Sequence, residues 1–285
     1  MAEMTWEQAV DWLRAQPEQR ALVEACYFDD PLLAAAERFA QSEEWLATLA
    51  LLSSRKGRAL DLGAGRGISS YALAKAGWQV TALEPDTSSL VGSGAIRSLA
   101  REANLVIEVV EEFGERLPFP DHHFDLVHGR QVLHHAHNLP QFCREVARVL
   151  RPGGQLIATR EHVISRHEDL PAFLDTHPLH KIYGGENAFL LREYTDAIQN
   201  AGLHVVKQFG PFESAINYFP YTRAQIRQIS AGPLARRVGG RVAEVLTDER
   251  RPLGKALSER LIKRFSETSD APGRLYTFLA QKPQT

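Results

Sequence analysis

The run Arg58-Ala59-Leu60-Asp61-Leu62-Gly63-Ala64-Gly65-Arg66-Gly67-Ile68 carries glycine at three alternate positions directly after an apolar stretch. Glycines there let the backbone turn tightly and let a ligand lie on the main chain itself. The helix expected from Ile68 onward begins with free N–H groups that suit anionic ligand atoms. A dinucleotide fingerprint requires Gly-x-Gly-x-x-Gly, but the sixth position is Ile68 and the third glycine comes one residue early, which argues against nicotinamide and flavin cofactors. Glu84 follows Gly63 by 21 positions and ends a second expected strand. A carboxylate in that place can accept hydrogen bonds from both hydroxyls of a ribose.

These groups need a scaffold that holds them at one edge. Short β-rich runs at Ala59–Leu62, Gln79–Leu83, Val106–Val110, Phe124–His128 and Gln155–Thr159 alternate with helical periods near 68–76, 88–102 and 139–150. That alternation predicts an α/β chain, a doubly wound parallel sheet with helices on both faces. Leu150-Arg151-Pro152-Gly153-Gly154 reads as a sharp helix stop, because proline cannot continue a helix and glycine supplies the turn. Ala188–Ala201 reads as a further helix, with last strands at Val205–Gly210 and Leu275–Lys282. Residues 1–56 read as helices, with Trp6, Val10 and Leu13 on one face and Trp45, Leu46, Leu49 and Leu52 on another. The expected division is a helical cap over 1–56, a binding core over 57–221, a basic helical insertion over 222–268, and a last strand and tail over 269–285.

In 222–266, eleven Lys/Arg face four Asp/Glu, a net of +7 in a chain whose formal charge is −2, so the remainder carries −9. Leu253, Leu257, Leu261 and Phe265 recur every four residues there and predict an amphipathic helix. The basic face suits an anionic acceptor or partner. Nucleic acid is disfavoured, since no Phe, Tyr or Trp lies between Thr222 and Arg264 to stack on bases. Hydrophobic residues at 44% and charged residues at 24% of 285 exclude disorder for the bulk of the chain. No apolar run reaches the roughly 18 residues a membrane span needs. The acidic start Met1-Ala2-Glu3-Met4-Thr5-Trp6-Glu7 lacks a signal core, and two cysteines, Cys26 and Cys143, make neither a disulfide framework nor a four-cysteine zinc site. A reducing cytoplasm is the expected compartment.

In these motifs the chain resembles the class I S-adenosylmethionine-dependent methyltransferases, over roughly residues 40–210 and the last strand. Leu60–Gly67 is similar to their first motif and Ala82-Leu83-Glu84-Pro85-Asp86 to the acidic end of their second strand. Leu117-Pro118-Phe119-Pro120-Asp121, Phe124-Asp125-Leu126-Val127, Val132-Leu133-His134-His135 and Leu150–Gly154 are similar to later motifs in the same order. The resemblance implies a Rossmann-like seven-stranded sheet whose last strand is antiparallel and inserted beside the fifth. It implies that Gly63, Ala64, Gly65 and Gly67 line the methionine end of S-adenosyl-L-methionine, that Asp61 holds its amino group, and that Glu84, with Pro85, meets the ribose. Many relatives place an Asp where this chain has Phe113; Glu112 and the backbone near Phe113–Gly114 are then expected at the adenine, with Phe113 as an apolar wall. Arg130 and Gln131, after the fourth strand, are expected along the cofactor or acceptor.

The acceptor is expected at Thr159–Ser165 and His177–Asn187, because ligands of open α/β sheets lie outside the carboxyl ends of the strands and long connections such as 160–187 often cover active sites. The acceptor contacts are His177, His180, Tyr183, Glu186 and Asn187. For a hydroxyl acceptor a general base helps. His162 is the first choice, with Glu161 as its partner or as the base, and His134 the second; an amine acceptor would use the same residues. Eleven histidines invite a metal reading, but His134-His135 occupy a common family position and His122-His123 a loop, so no metal is expected. The N-terminal segments Ala36–Phe39 and Ser42–Trp45 are expected either as a lid or as packing on the sheet's helices. The first reading is in-line methyl transfer to a hydroxyl, or an amine, of a small-molecule or saccharide-like acceptor; two other readings are a non-catalytic cofactor-binding partner protein and a nucleic-acid methyltransferase.

Overall fold

The computed structural model describes residues 4–177 and 180–284. Met1–Glu3 of the start, Pro178 and Leu179 of the expected acceptor segment, and Thr285 of the tail lie outside the described residues. The strands are β1 Arg58–Leu62, β2 Gln79–Leu83, β3 Ile107–Val110, β4 Phe124–Arg130, β5 Leu150–Ile164, β6 Phe189–Leu190, β7 His204–Phe209 and β8 Arg274–Gln281. The helices that precede and flank them are α1 Trp6–Arg14, α2 Arg20–Ala25, α3 Leu32–Ala40, α4 Glu43–Leu49, α5 Ile68–Lys75, α6 Ser93–Glu102 and α7 Leu139–Val149. After β5 come α8 Leu170–Thr176, α9 His180–Tyr183, α10 Leu191–Asn200, α11 Arg223–Ser230, α12 Gly232–Val238, α13 Gly240–Leu246 and α14 Pro252–Glu267.

The sheet order is β3-β2-β1-β4-β5-β8-β7, with the two-residue β6 pairing the end of β5. Contacts among β1 to β6 are parallel, and β8 is antiparallel to both β5 and β7. This is the Rossmann-like order expected, with the last strand inserted beside the fifth; β6 is an addition. Both sheet faces are buried, which is why adjacent residues in the central strands, such as Leu126-Val127 and Leu156-Ile157, are both apolar. Leu60, Leu62, Val127 and Leu156 face one cluster with Phe142 and Val146 of α7 and Tyr194 and Ile198 of α10. Ala59, Leu126 and Ile157, one residue out of phase, face the other with Phe39, Trp45, Tyr71 and Leu73. Phe39 and Trp45 therefore pack on the sheet's helical layer, the second of the two roles open to those segments.

Two departures bear on the site. β5 runs on to Ile164, five residues past the expected end at Thr159, so the stretch expected as a long loop over 160–187 holds the strand's end, α8 and α9. In α14 the buried line is Gly254, Ser258, Ile262 and Ser266, one residue away from the expected stripe, and Leu253 is 86% exposed. Among the described residues no helix is long and apolar enough to cross a membrane.

Gly63 ends β1 at φ +55°, and a Cβ placed on it would stand 2.8 Å from Val132 Cγ2. Gly63→Ala should therefore destabilise the fold by about 1–3 kcal/mol, through the positive φ and the overlap together. Urea unfolding checks this; an unchanged midpoint would contradict it.

Candidate active site

The carboxyl ends of β1, β2, β4 and β5 converge on one cavity of about 680 Å³, within the range of about 300–1,000 Å³ usual for small-molecule sites. A shallower concavity of about 180 Å³, among Lys56, Gly77, Asp125 and Arg151, sits at the opposite strand ends. Of the expected cofactor residues, Asp61, Gly63, Ala64, Gly65, Glu84, Pro85, Glu112, Phe113, Arg130 and Gln131 all line the large cavity. Gly67 does not; it lies immediately before α5 at φ +84° and shapes the turn from behind. Phe113 stands at the rim, 62% exposed.

The loop is held from below by acids. Glu84 accepts Gly65 N–H at 2.7 Å and Asp86 N–H at 2.9 Å, tying the end of β2 to the glycine turn. Burial pushes the Glu84 carboxyl up to about 7, and those two N–H groups offset only part of the rise. Asp61, fully buried in β1, accepts from Ser70 Oγ at 2.6 Å and contacts His128 Nδ1 at 2.8 Å. Arg66 donates to the carbonyls of Tyr27 and Asp29 and to the Asp30 carboxylate, which fastens the turn to the N-terminal segment. Trp6, Leu22, Cys26, Tyr27 and Phe28 of that segment form part of the cavity wall.

Of the expected catalytic and acceptor residues, His134, His162, His177, Tyr183 and Glu186 line the same cavity, whereas Glu161, His180 and Asn187 do not. The expected Glu161–His162 pairing is corrected. Both residues lie in β5, where successive side chains leave on opposite faces. Glu161, 0% exposed, accepts Val132 N–H at 3.1 Å, His134 N–H at 3.0 Å and His134 Nδ1–H at 2.7 Å. It is a support for His134, and its oxygens are committed. His162 instead donates Nδ1–H to the Gly273 carbonyl at 2.8 Å, which leaves its buried Nε2 without a partner. The His134 and His162 rings meet edge to face with centroids 4.7 Å apart.

Charge separates the two histidines. Burial alone would depress His134, but the Glu161 hydrogen bond and the approach of Glu186, 3.6 Å from Nε2, raise it to about 9. Burial and the neighbouring His134 charge hold His162 well below the usual imidazole range. Burial would raise Glu186, yet His134 outweighs it and brings that carboxyl to about 2. At neutral pH the cluster therefore holds a cationic His134, a neutral His162 and an anionic Glu186.

A second charged group was not legible in the spacing. Glu44 of α4 takes both Nε and Nη2 of Arg130, at 2.6 and 3.2 Å, and Nη1 of Arg160 at 2.9 Å. Burial would raise the Glu44 carboxyl, and the two guanidiniums hold it below its usual range instead. Arg160 and Gln131 both adopt positive φ, +60° and +58°, although neither is glycine. Such backbone is uncommon for residues with a Cβ and concentrates at functional sites. Arg160 sits at the irregularity where β5 shifts register against β8, and its guanidinium lies 4.4 Å from the Phe219 ring.

Removing Glu161 would leave His134 and two backbone N–H groups buried without their acceptor. Glu161→Ala should cost about 3–5 kcal/mol, whereas His162→Ala, which breaks one bond to a carbonyl, should cost about 1–3 kcal/mol. Chemical denaturation of both variants measures the difference; equal losses would contradict the assignment of Glu161 as the support.

Comparison with known proteins matches residues 60–158 to the model of a methyltransferase domain. The chain is 30% identical over 202 residues to the 27-O-demethylrifamycin SV methyltransferase of Amycolatopsis mediterranei, covering 69% of each. It is 30% identical over 162 residues to a ubiquinone biosynthesis O-methyltransferase of Methylobacterium nodulans, covering 53% of this chain and spanning 61% of that protein's length. The solved geranyl diphosphate C-methyltransferase of Streptomyces coelicolor A3(2), a complex containing S-adenosyl-L-homocysteine, superposes with a TM-score of 0.57 at 14% identity, over 90% of this chain and 84% of that one. That last likeness is one of fold. An identity of 30% sustained through two thirds of a methyltransferase's length goes further, and the chain belongs to the class I S-adenosylmethionine-dependent methyltransferase family.

Proposed function

We propose that the chain transfers a methyl group from S-adenosyl-L-methionine to a hydroxyl of a small-molecule acceptor, with S-adenosyl-L-homocysteine as product. The observation that carries this reading is that one cavity wall bears both the glycine turn with Glu84 and the cluster of His134, His162 and Glu186. Of three 30%-identical relatives, the two matched over 61% and 69% of their length are named for chemistry at oxygen, while the third, a glycine/sarcosine/dimethylglycine N-methyltransferase, is matched over 29% of its length; the longer matches favour a hydroxyl over an amine. In this reading residues 57–221 and the last strand form the cofactor core, the helices over 4–56 wall it, and the basic 222–268 insertion lies beside it.

The residues fit the donor. Gly65 offers bare backbone, with nothing nearer than 3.9 Å to a Cβ built there. Glu84 keeps lone pairs for a ribose after its two N–H partners, and Asp61 lines the cavity beside the turn. When bound, S-adenosylmethionine supplies a methyl carbon activated on a sulfonium that departs as a neutral thioether. The chain's own residues then have three tasks: to align the acceptor, to exclude water and to activate the hydroxyl. Trp6, Tyr27 and Phe28 cover the cavity with apolar surface. The hydroxyl is activated at the histidine cluster, with the unpartnered His162 Nε2 as the atom on which activation depends. His177, Tyr183 and Glu186 bound the acceptor.

The sign of a pH effect follows from Glu84. Ribose hydroxyls donate to the ionised carboxylate, so the affinity it contributes is present above its folded value of about 7 and is lost as pH falls through it. The Kd for S-adenosyl-L-homocysteine should rise roughly tenfold from pH 8 to pH 6, and Glu84→Gln should weaken binding at pH 8 and flatten the profile. Isothermal titration calorimetry across that range is the test; a flat wild-type profile would contradict it.

Methyl transfer is tested with radiolabelled S-adenosylmethionine against a panel of phenols and polyols. His162→Ala should lower transfer about 100-fold or more while leaving S-adenosyl-L-homocysteine affinity within about twofold. An unchanged rate would remove His162 from the chemistry, and no transfer by the wild type to any hydroxyl would overturn the reading.

A further inference from the structure

One ligand atom from each of His134, His162 and Glu186 lies within 4.8 Å of the others, among the described residues. Alignment of a hydroxyl needs one acceptor atom and does not explain why two imidazoles and a carboxylate converge. The two rings are also fixed from behind. His134 gives Nδ1–H to Glu161 at 2.7 Å, and His162 gives Nδ1–H to the Gly273 carbonyl at 2.8 Å. A carboxylate or carbonyl behind Nδ1 is the arrangement that sets the tautomer and aim of metal-binding histidines. Each ring consequently presents Nε2 towards the cavity. His162 Nε2 is buried with no partner, and His134 Nε2 stands 3.6 Å from Glu186. His177 Nδ1, also buried without a partner, lies 3.9 Å from the other Glu186 oxygen. It is placed to hold that oxygen once the carboxylate turns to an ion.

We propose that His134 Nε2, His162 Nε2 and the Glu186 carboxylate bind a divalent transition-metal ion of the zinc class, His134 releasing its Nε2 proton to solvent as the ion takes that position. Two imidazoles and one carboxylate suit zinc, cobalt or ferrous iron; magnesium and calcium prefer all-oxygen sets. Bonds of about 2.0–2.2 Å place tetrahedral ligand atoms about 3.4 Å apart, close to the 3.6 Å between His134 Nε2 and Glu186. Three protein ligands leave a fourth position open to the cavity. A metal there lowers the pKa of a bound oxygen, which is the chemistry a hydroxyl acceptor needs. This role rests on the methyl-transfer reading, but the binding site itself does not.

The test uses the full chain, purified without a polyhistidine tag and stripped with EDTA. Titration with Co²⁺ should saturate at one ion per chain in the micromolar range or below, with a visible absorption band that Zn²⁺ abolishes by competition. His162→Ala and Glu186→Gln should each weaken Co²⁺ binding at least about tenfold while S-adenosyl-L-homocysteine still binds, which shows that the variants are folded. Failure to saturate by millimolar Co²⁺, or equal uptake by both variants, would overturn the site. Metal-free protein that transfers methyl at the full rate would overturn its role in activation and leave the methyltransferase reading intact. Co²⁺ bound tightly by a chain with no affinity for S-adenosyl-L-homocysteine would do the reverse.

Discussion

The carboxylate of Glu161 accepts three hydrogen bonds from the segment that follows β4, two from backbone N–H groups and one from the His134 ring. Through them it fixes β5 to the end of the neighbouring strand, and it determines which histidine is cationic. A buried carboxylate without those donors would be strongly disfavoured, so the segment is held against β5. His134 is thereby aimed at Glu186, and the free nitrogen of His162 is left facing the same space.

Glu84 acts in the same way at the other part of the wall. Its oxygens hold the amides of Gly65 and Asp86, so the glycine turn cannot relax away from β2. Arg66 then fastens that turn to the carbonyls of Tyr27 and Asp29. The N-terminal segment is thus coupled to the glycine turn by hydrogen bonds as well as by packing. Glu44 extends the coupling to β4 and β5 by gathering Arg130 and Arg160. The parallel sheet puts the ends of these strands side by side, and buried acids keep the loops between them from moving apart.

What the sequence alone made legible was placement set by local geometry. A glycine turn after an apolar strand, and an acid at the end of the next strand, constrain their own surroundings, and both line the cavity where they were expected. The alternation of strands and helices gave the sheet, and the family resemblance supplied the antiparallel last strand. Pairings that depend on side-chain direction were not legible. Glu161 and His162 are adjacent in sequence and looked like partners, but β5 continues through them and gives them different hydrogen-bond partners, the His134 ring for Glu161 and the Gly273 carbonyl for His162. Glu44 meets Arg130 and Arg160 across separations of 86 and 116 residues, for which no spacing rule exists. In α14 the buried line Gly254, Ser258, Ile262 and Ser266 repeats every four residues like the apolar stripe but one residue on, so the repeat alone did not fix which face is buried.

The central claim is that one cavity holds the methyl donor against the histidine cluster. A crystal structure of the chain with S-adenosyl-L-homocysteine tests it most directly. The account predicts a ribose on Glu84, a homocysteine chain along Gly63–Gly65, and a sulfur whose open side faces His162 and Glu186. A ribose away from Glu84, or a sulfur walled off from His134, His162 and Glu186, would contradict it.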